Sequence, residues 1–238
     1  MGRLIKAEFL KLSKSLGYKI LLLCTFGFSV MMGLFAMDVE TGRADGLTAY
    51  LLALSDAGMY MGLTAVFAAI FVCSEFSNRT FGMSLFSGCA RWRVLLSKVI
   101  VFLIGLMPVV FLEPLMAGFL VSINKGVGSF NAGIWTCLFQ ATCLFILGNV
   151  AIGGFSFMLA VIIKNIVGTI GAGIGFILVM QMLGGIPQTT ALAKLTLMYQ
   201  VGLLPQPEST GLFIAVTAIT LLVTLVTSAL IFEKTELK

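Results

Sequence analysis

The stretch EFSNRTFGMSLFSGCARWRVLLSK, Glu75 to Lys98, is the one long polar and basic interruption between two apolar segments of this chain. On either side the sequence is mostly hydrocarbon. The 238 residues are 59% hydrophobic and 11% charged, where an average soluble domain carries roughly 25% charge. A soluble protein this apolar could not cover its surface, so the composition points to an integral membrane protein. With roughly 20 apolar residues needed per span, the runs allow about six in one membrane domain, residues 1–238. They are Tyr18–Met37, Ala57–Ser74, Val94–Ile123, Ala132–Ile163, Ile166–Ile186 and Gly211–Phe232. The expected fold is an all-α integral membrane protein.

The net charge is +5. In a soluble chain that excess would suggest nucleic acid; here it gathers in short loops, as orientation in a bilayer requires, and no nucleic-acid partner is expected. Three of the fifteen lysines and arginines, Arg43, Lys125 and Lys194, fall on one side of the predicted spans. The others fall on the opposite side: in the first 19 residues, in or beside the Glu75 loop, at Lys164 and in the tail after Phe232. That asymmetry places both termini and the Glu75 loop in the cytoplasm. Asp38, Glu40, Asp45, Asp56 and Glu208 make the far side acidic.

At the N-terminus, Ile5, Phe9, Leu12 and Leu16 recur at helical spacing, with Lys6, Glu8, Lys11 and Lys14 mostly on the other side. Residues 3–16 therefore read as an amphipathic helix in the membrane interface, basic face to anionic headgroups. Asp38 to Asp56 reads as a polar loop. Val94–Ile123 is long for one span and holds Pro108, Glu113 and Pro114, so either it tilts steeply or its prolines break it. Lys164-Asn165 leaves room only for a tight hairpin. Gly171 and Gly175 make a GxxxG face that permits close approach of another helix. Residues 187–210 read as an extracellular segment, with a short amphipathic helix within Ala191–Leu203 on the membrane face.

Within the organising loop, Ser77 is placed to cap a short helix from Asn78, and Gly88 to end it. Between them lie Phe81, Met83, Leu85 and Phe86, large apolar groups on a segment that should be wet. Such a cluster marks a docking surface; the plainer reading is a segment lying flat on lipid. Arg91, Trp92 and Arg93 mark the headgroup boundary.

At this point a resemblance enters. A glutamate closing the second span (Glu75), then Asn78-Arg79-Thr80-Phe81, Ser87-Gly88, Arg91, the pair Leu95-Leu96 and Lys98 resemble the cytoplasmic loop of ABC type-2 transporter permeases. The small permeases of bacitracin resistance, lantibiotic immunity and peptide-toxin export are the most similar group. The loop departs from the commoner Glu-x-x-x-Gly-Thr form by reading Asn78-Arg79-Thr80. The resemblance implies a coupling helix between spans two and three, docked on a separate ATPase through Glu75, Ser77, Asn78, Arg79, Thr80, Phe81, Met83, Leu85 and Phe86. It implies two copies of that ATPase, which would bind ATP and Mg, and a second permease, the same chain or a sibling. The chain has no G-x-x-x-x-G-K-[ST] phosphate loop of its own. A bacterial plasma membrane and an amphipathic or hydrophobic cargo, foremost a peptide, follow from the same resemblance.

Glu113 is the only carboxylate deep in an apolar run, which makes it the transport candidate. An ion-coupled carrier or channel using Glu113 is the competing function. An intramembrane enzyme is disfavoured: the chain has no histidine, which removes the usual general base and metal ligand, and a carboxylate protease would need a second buried acid. Five cysteines show no metal or CxxC spacing. Gln140, Asn149, Asn165 and Gln181 are scattered polar groups suited to bonds between helices.

Overall fold

The computed structural model describes residues 2–39, 45–77, 91–128, 132–184, 196–204 and 209–234. Every regular element among them is helical: α1 (Gly2–Lys14), α2 (Leu16–Val39), α3 (Gly46–Ala53), α4 (Ala57–Ser77), α5 (Arg91–Lys125), α6 (Ala132–Ile163), α7 (Ile166–Gly184), α8 (Leu197–Gly202) and α9 (Thr210–Lys234). Five carry stretches long and apolar enough to cross a membrane: Leu16–Phe35, Ala57–Ser77, Trp92–Lys125, Gly133–Ile163 and Thr210–Phe232. In α7 the apolar stretch Ile166–Met182 is shorter. This is the architecture of a multi-pass helical membrane protein.

Helices α4, α5 and α6 form the centre, being more than half buried along their apolar windows. Helix α2 lies against α5, α9 against α6, and α7 against α4. Rings from four helices lock the middle. Phe67 of α4 stacks on Phe102 of α5 at 4.8 Å and meets Tyr18 of α2 at 5.4 Å, while Phe102 meets Phe157 of α6 at 5.4 Å. The outer faces of α2 and α9 carry exposed Leu23, Leu34, Ile219 and Leu222, the residues a lipid-facing surface needs.

The prolines do not break α5. It stays helical for 35 residues, about 52 Å at ~1.5 Å per residue, well beyond a ~30 Å hydrocarbon core. Pro108 removes one backbone donor from the ladder. In the same turn the Tyr18 hydroxyl donates to the Gly105 carbonyl at 2.8 Å, so polar backbone there finds a side-chain partner.

The segment expected as a loop from Asp38 to Asp56 contains α3 instead. GLTAYLLA is apolar apart from one threonine and one tyrosine, and it packs along the end of α5. The fit depends on glycine: a Cβ on Gly46 would lie 1.8 Å from Ser122 Oγ and 2.8 Å from the Gly118 carbonyl. The Gly46 amide closes the corner by donating to the Gly126 carbonyl at 3.1 Å.

The GxxxG pair makes no such contact within the chain. Gly171 and Gly175 both face open space, and Gly173 is where α7 approaches α4, a Cβ there lying 2.5 Å from that of Ala65. Of the scattered polar groups, Asn149 donates within its own helix to the Phe145 carbonyl, and Asn165 accepts from the Val167 amide at the start of α7. Bonds between helices come from Thr64 with Ser156 (2.9 Å), Tyr50 with Thr142 (3.1 Å) and Cys73 with Thr169 (3.2 Å). Lys164 takes a left-handed backbone (φ 55°) in the tight α6–α7 turn. Helix α8 falls within the expected short helix, but it docks on α4 and α6 with Val201 buried rather than lying out on the membrane face.

Candidate functional site

Lys98 lies two turns into α5 and is 1% exposed. An isolated buried ammonium is costly, so its partners decide what it does. It donates to Glu8 Oε2 of α1 at 2.9 Å and to Glu75 Oε2 near the end of α4. Lys11, one turn after Glu8, donates to Glu8 Oε1 at 2.8 Å and lies 3.8 Å from Glu75 Oε1. Each carboxylate thus bridges two ammonium groups, and these four side chains form a ring of two anions and two cations among the described residues. The Phe71 ring lies 5.9 Å from the Lys98 ammonium, within reach of a cation–π contact.

The ring joins three elements: helix α1 and the two helices that bracket residues 78–90. Glu75 enters it just after a π-helical turn, Ala69–Cys73, in α4. Inserted turns of this kind re-aim the residues that follow and recur at functional positions. Helix α4 continues to Ser77, three residues beyond its expected end. Ser77 is exposed.

Burial opposes ionisation of Glu8, but Lys98 and Lys11 together outweigh it and hold its carboxyl below the ordinary glutamate range. Burial likewise opposes the charge on Lys11, and Glu8 and Glu75 outweigh it, raising its ammonium above the ordinary lysine value. Both therefore carry full charge at neutral pH.

Helix α1 is turned differently from its expected setting. Ile5, Glu8, Leu12 and Ser15 face the bundle, while Phe9 and Leu16 are exposed. Glu8, expected among headgroups, is one of the most buried charges in the chain. Trp92 is exposed at the start of α5, with the Arg93 guanidinium 5.4 Å from its ring, as suits a headgroup anchor.

Of the predicted docking residues, Glu75 and Ser77 are placed as above. Asn78, Arg79, Thr80, Phe81, Met83, Leu85 and Phe86 lie outside the described residues, as does the expected Asn78 helix. Glu113 sits 15 residues beyond Lys98 on α5, about 22 Å along the helix. It is 6% exposed, and its Oε2 has no hydrogen-bond partner. Neighbouring Tyr60 donates its hydroxyl proton to the Ala53 carbonyl at 2.6 Å. Glu113 is thus far from the ion-pair ring and belongs to the other end of the bundle.

Sequence reasoning singled out Glu75 but missed Glu8, Lys11 and Lys98 as its partners. One signal was available: Glu8 is the only acid in an otherwise basic helix, and it falls at the spacing of Ile5 and Leu12. The chain matches no protein-family model, and no curated protein is significantly similar to it.

Proposed function

We propose that this chain is the membrane-spanning subunit of an ATP-driven ABC exporter. In this reading α7 completes six spans, both termini and residues 75–98 face the cytoplasm, and the membrane is a bacterial plasma membrane. A separate ATPase, present twice, binds ATP and Mg and docks on residues 75–86. A second permease, identical or a sibling, completes the transporter. The cargo is hydrophobic or amphipathic, foremost a peptide.

The observation that carries this reading is the Lys98 ring. A docking segment transmits force only if its ends are fixed to the parts that must move. Glu75 and Lys98 sit at the two ends of the segment and are tied to each other and to α1. A push on residues 78–90 would reach α4, α5 and the interfacial helix together. An ion-coupled carrier has no need of such a device.

The test is a gentle detergent purification of the tagged chain from its native membrane, with mass spectrometry. It is run beside a variant carrying Phe81→Asp and Phe86→Asp. A stoichiometric partner bearing a phosphate loop, lost from the variant, supports the assignment. A wild-type chain that arrives alone in a stable complex defeats it.

One observation favours the second reading, ion-coupled transport: Glu113 is buried with an unpartnered oxygen, as an intramembrane proton or cation site would be. Glu113→Gln separates the two. It abolishes the driving force of a proton-coupled carrier and leaves ATP hydrolysis by an exporter intact.

A further inference from the structure

At the end of the bundle away from Lys98, two adjoining cavities share Ala57, Thr196 and Met198 as a common wall. Asp56 and Glu75 are 19 positions apart along α4, about 28 Å. The inner cavity holds about 190 Å³ and is floored by Met61, Ile152, Phe155 and Phe176. The outer one holds about 270 Å³, is more open, and adds Ser55, Asp56, Gln181 and Tyr199. The compartment therefore runs from a mouth that carries Ser55, Asp56 and Gln181 to an apolar floor, and four helices and α8 of this one chain build it.

Its size and charge define what fits. An engineered apolar cavity of ~150 Å³ takes up benzene, so the inner compartment accepts a group the size of one aromatic ring or branched aliphatic chain. Among the described residues lining the mouth, Asp56 is the one that is charged. Its Oδ1 accepts from the Met59 amide at 3.0 Å, capping α4. Its other oxygen takes part in no ion pair among the described residues. A bare helix N-terminus would attract an anion, but the Asp56 carboxylate already fills that role and turns the mouth acidic. Buried Glu113 is a second carboxyl group at the same end of the bundle.

We propose that this compartment binds a small amphipathic cation: an ammonium group at Asp56 joined to a ring-sized apolar group seated among Met61, Phe155 and Phe176. The residues named for the site all belong to one chain, so the proposal does not depend on an ATPase partner.

The test uses the purified full chain in lipid nanodiscs with three fluorine-labelled probes read by fluorine NMR. These are para-fluorophenethylammonium, the neutral para-fluorophenethyl alcohol and the anionic para-fluorophenylacetate. Empty nanodiscs correct for partition into lipid. Saturable binding is expected for the ammonium, with the alcohol about fivefold weaker, the scale of a partly exposed ion pair. Asp56→Asn keeps the helix cap and should remove that preference. Met198→Trp fills the shared wall and should abolish saturable binding of both probes. The comparison of probes on the wild-type chain needs no variant, so it stands even where a substitution unfolds the protein. Absence of saturable binding, equal binding of all three probes, or a preference for the anion would each overturn the proposal. So would a preference for the ammonium that survives Asp56→Asn.

Discussion

Lys98 of α5 donates a hydrogen bond to Glu8 of α1 across 90 positions of sequence, at 2.9 Å, with both side chains almost wholly buried. A contact of that separation is what fixes an N-terminal helix onto a bundle assembled later in the chain. Removing one member leaves the other three with a buried charge excess: without Lys98, Glu8 and Glu75 share Lys11 alone within the ring.

Lys98→Met should therefore destabilise the protein by about 3–5 kcal/mol, the cost of breaking a buried pair from one side. Glu8→Leu in the same chain should recover part of that loss, because the two substitutions are coupled. Thermal unfolding in detergent, read as a double-mutant cycle, measures the coupling. Additive losses would mean that the two side chains do not act on each other.

The ring should open in acid. Glu8 titrates below its unfolded value of about 4.3. Its contribution is present above that value and is lost as pH falls through the lower, folded value. Lys11, raised above the ordinary lysine value, contributes fully at neutral pH and loses its share only as pH rises through its folded value. Amide hydrogen exchange in Gly2–Lys14, corrected for its intrinsic pH dependence, should lose protection as pH falls below the ordinary glutamate range. In a Glu8→Gln variant the same step should be absent.

Glycines should sort by contact and not by motif. Gly46→Ala places a methyl group against Ser122 Oγ and the Gly118 carbonyl, an overpacking cost of about 1–3 kcal/mol. Gly171→Ala and Gly175→Ala meet open space within the chain and should leave the single chain as stable as before, or more so by up to about 1 kcal/mol of helix propensity. Melting temperatures of the three variants, taken with the oligomeric state of each, decide the matter. A loss of stability at Gly171 that tracks loss of oligomer would place that face at a contact between chains.

Tyr18→Phe removes the donor to the Gly105 carbonyl in the turn that Pro108 interrupts. The expected loss is about 1 kcal/mol, with faster hydrogen exchange confined to α5 near Gly105. An unchanged exchange pattern would show that the backbone there needs no side-chain partner.

Much of this architecture was legible in the sequence because apolar length and charge spacing are local properties. The long apolar helices α2, α4, α5, α6 and α9, the N-terminal helix α1 and the Lys164 turn could all be read that way. What escaped were features set by distant partners. Helix α3 was hidden because the acids around it, Asp38 to Asp45 and Asp56, suggested a wet loop, although GLTAYLLA itself is apolar. The rotation of α1 was missed because Glu8 was grouped with its basic neighbours, when a buried Lys98 was waiting 90 positions away. Gly46 and Gly173, two of the glycines at close contacts, form no sequence motif; only the helix beside each shows why it must be small.

The most direct test of transmission through the ring uses the chain reconstituted in proteoliposomes with the ATPase proposed above, once that ATPase has been recovered with it. ATP hydrolysis and retention of the ATPase are measured together, for the wild type and for Glu8→Gln, which keeps the side chain's shape and removes its charge. If the ring couples the docking segment to the bundle, the variant should keep its ATPase bound while hydrolysis falls to the rate of the free ATPase. A variant that holds the ATPase and hydrolyses ATP at the wild-type rate would contradict that coupling and leave the ring a purely structural clasp.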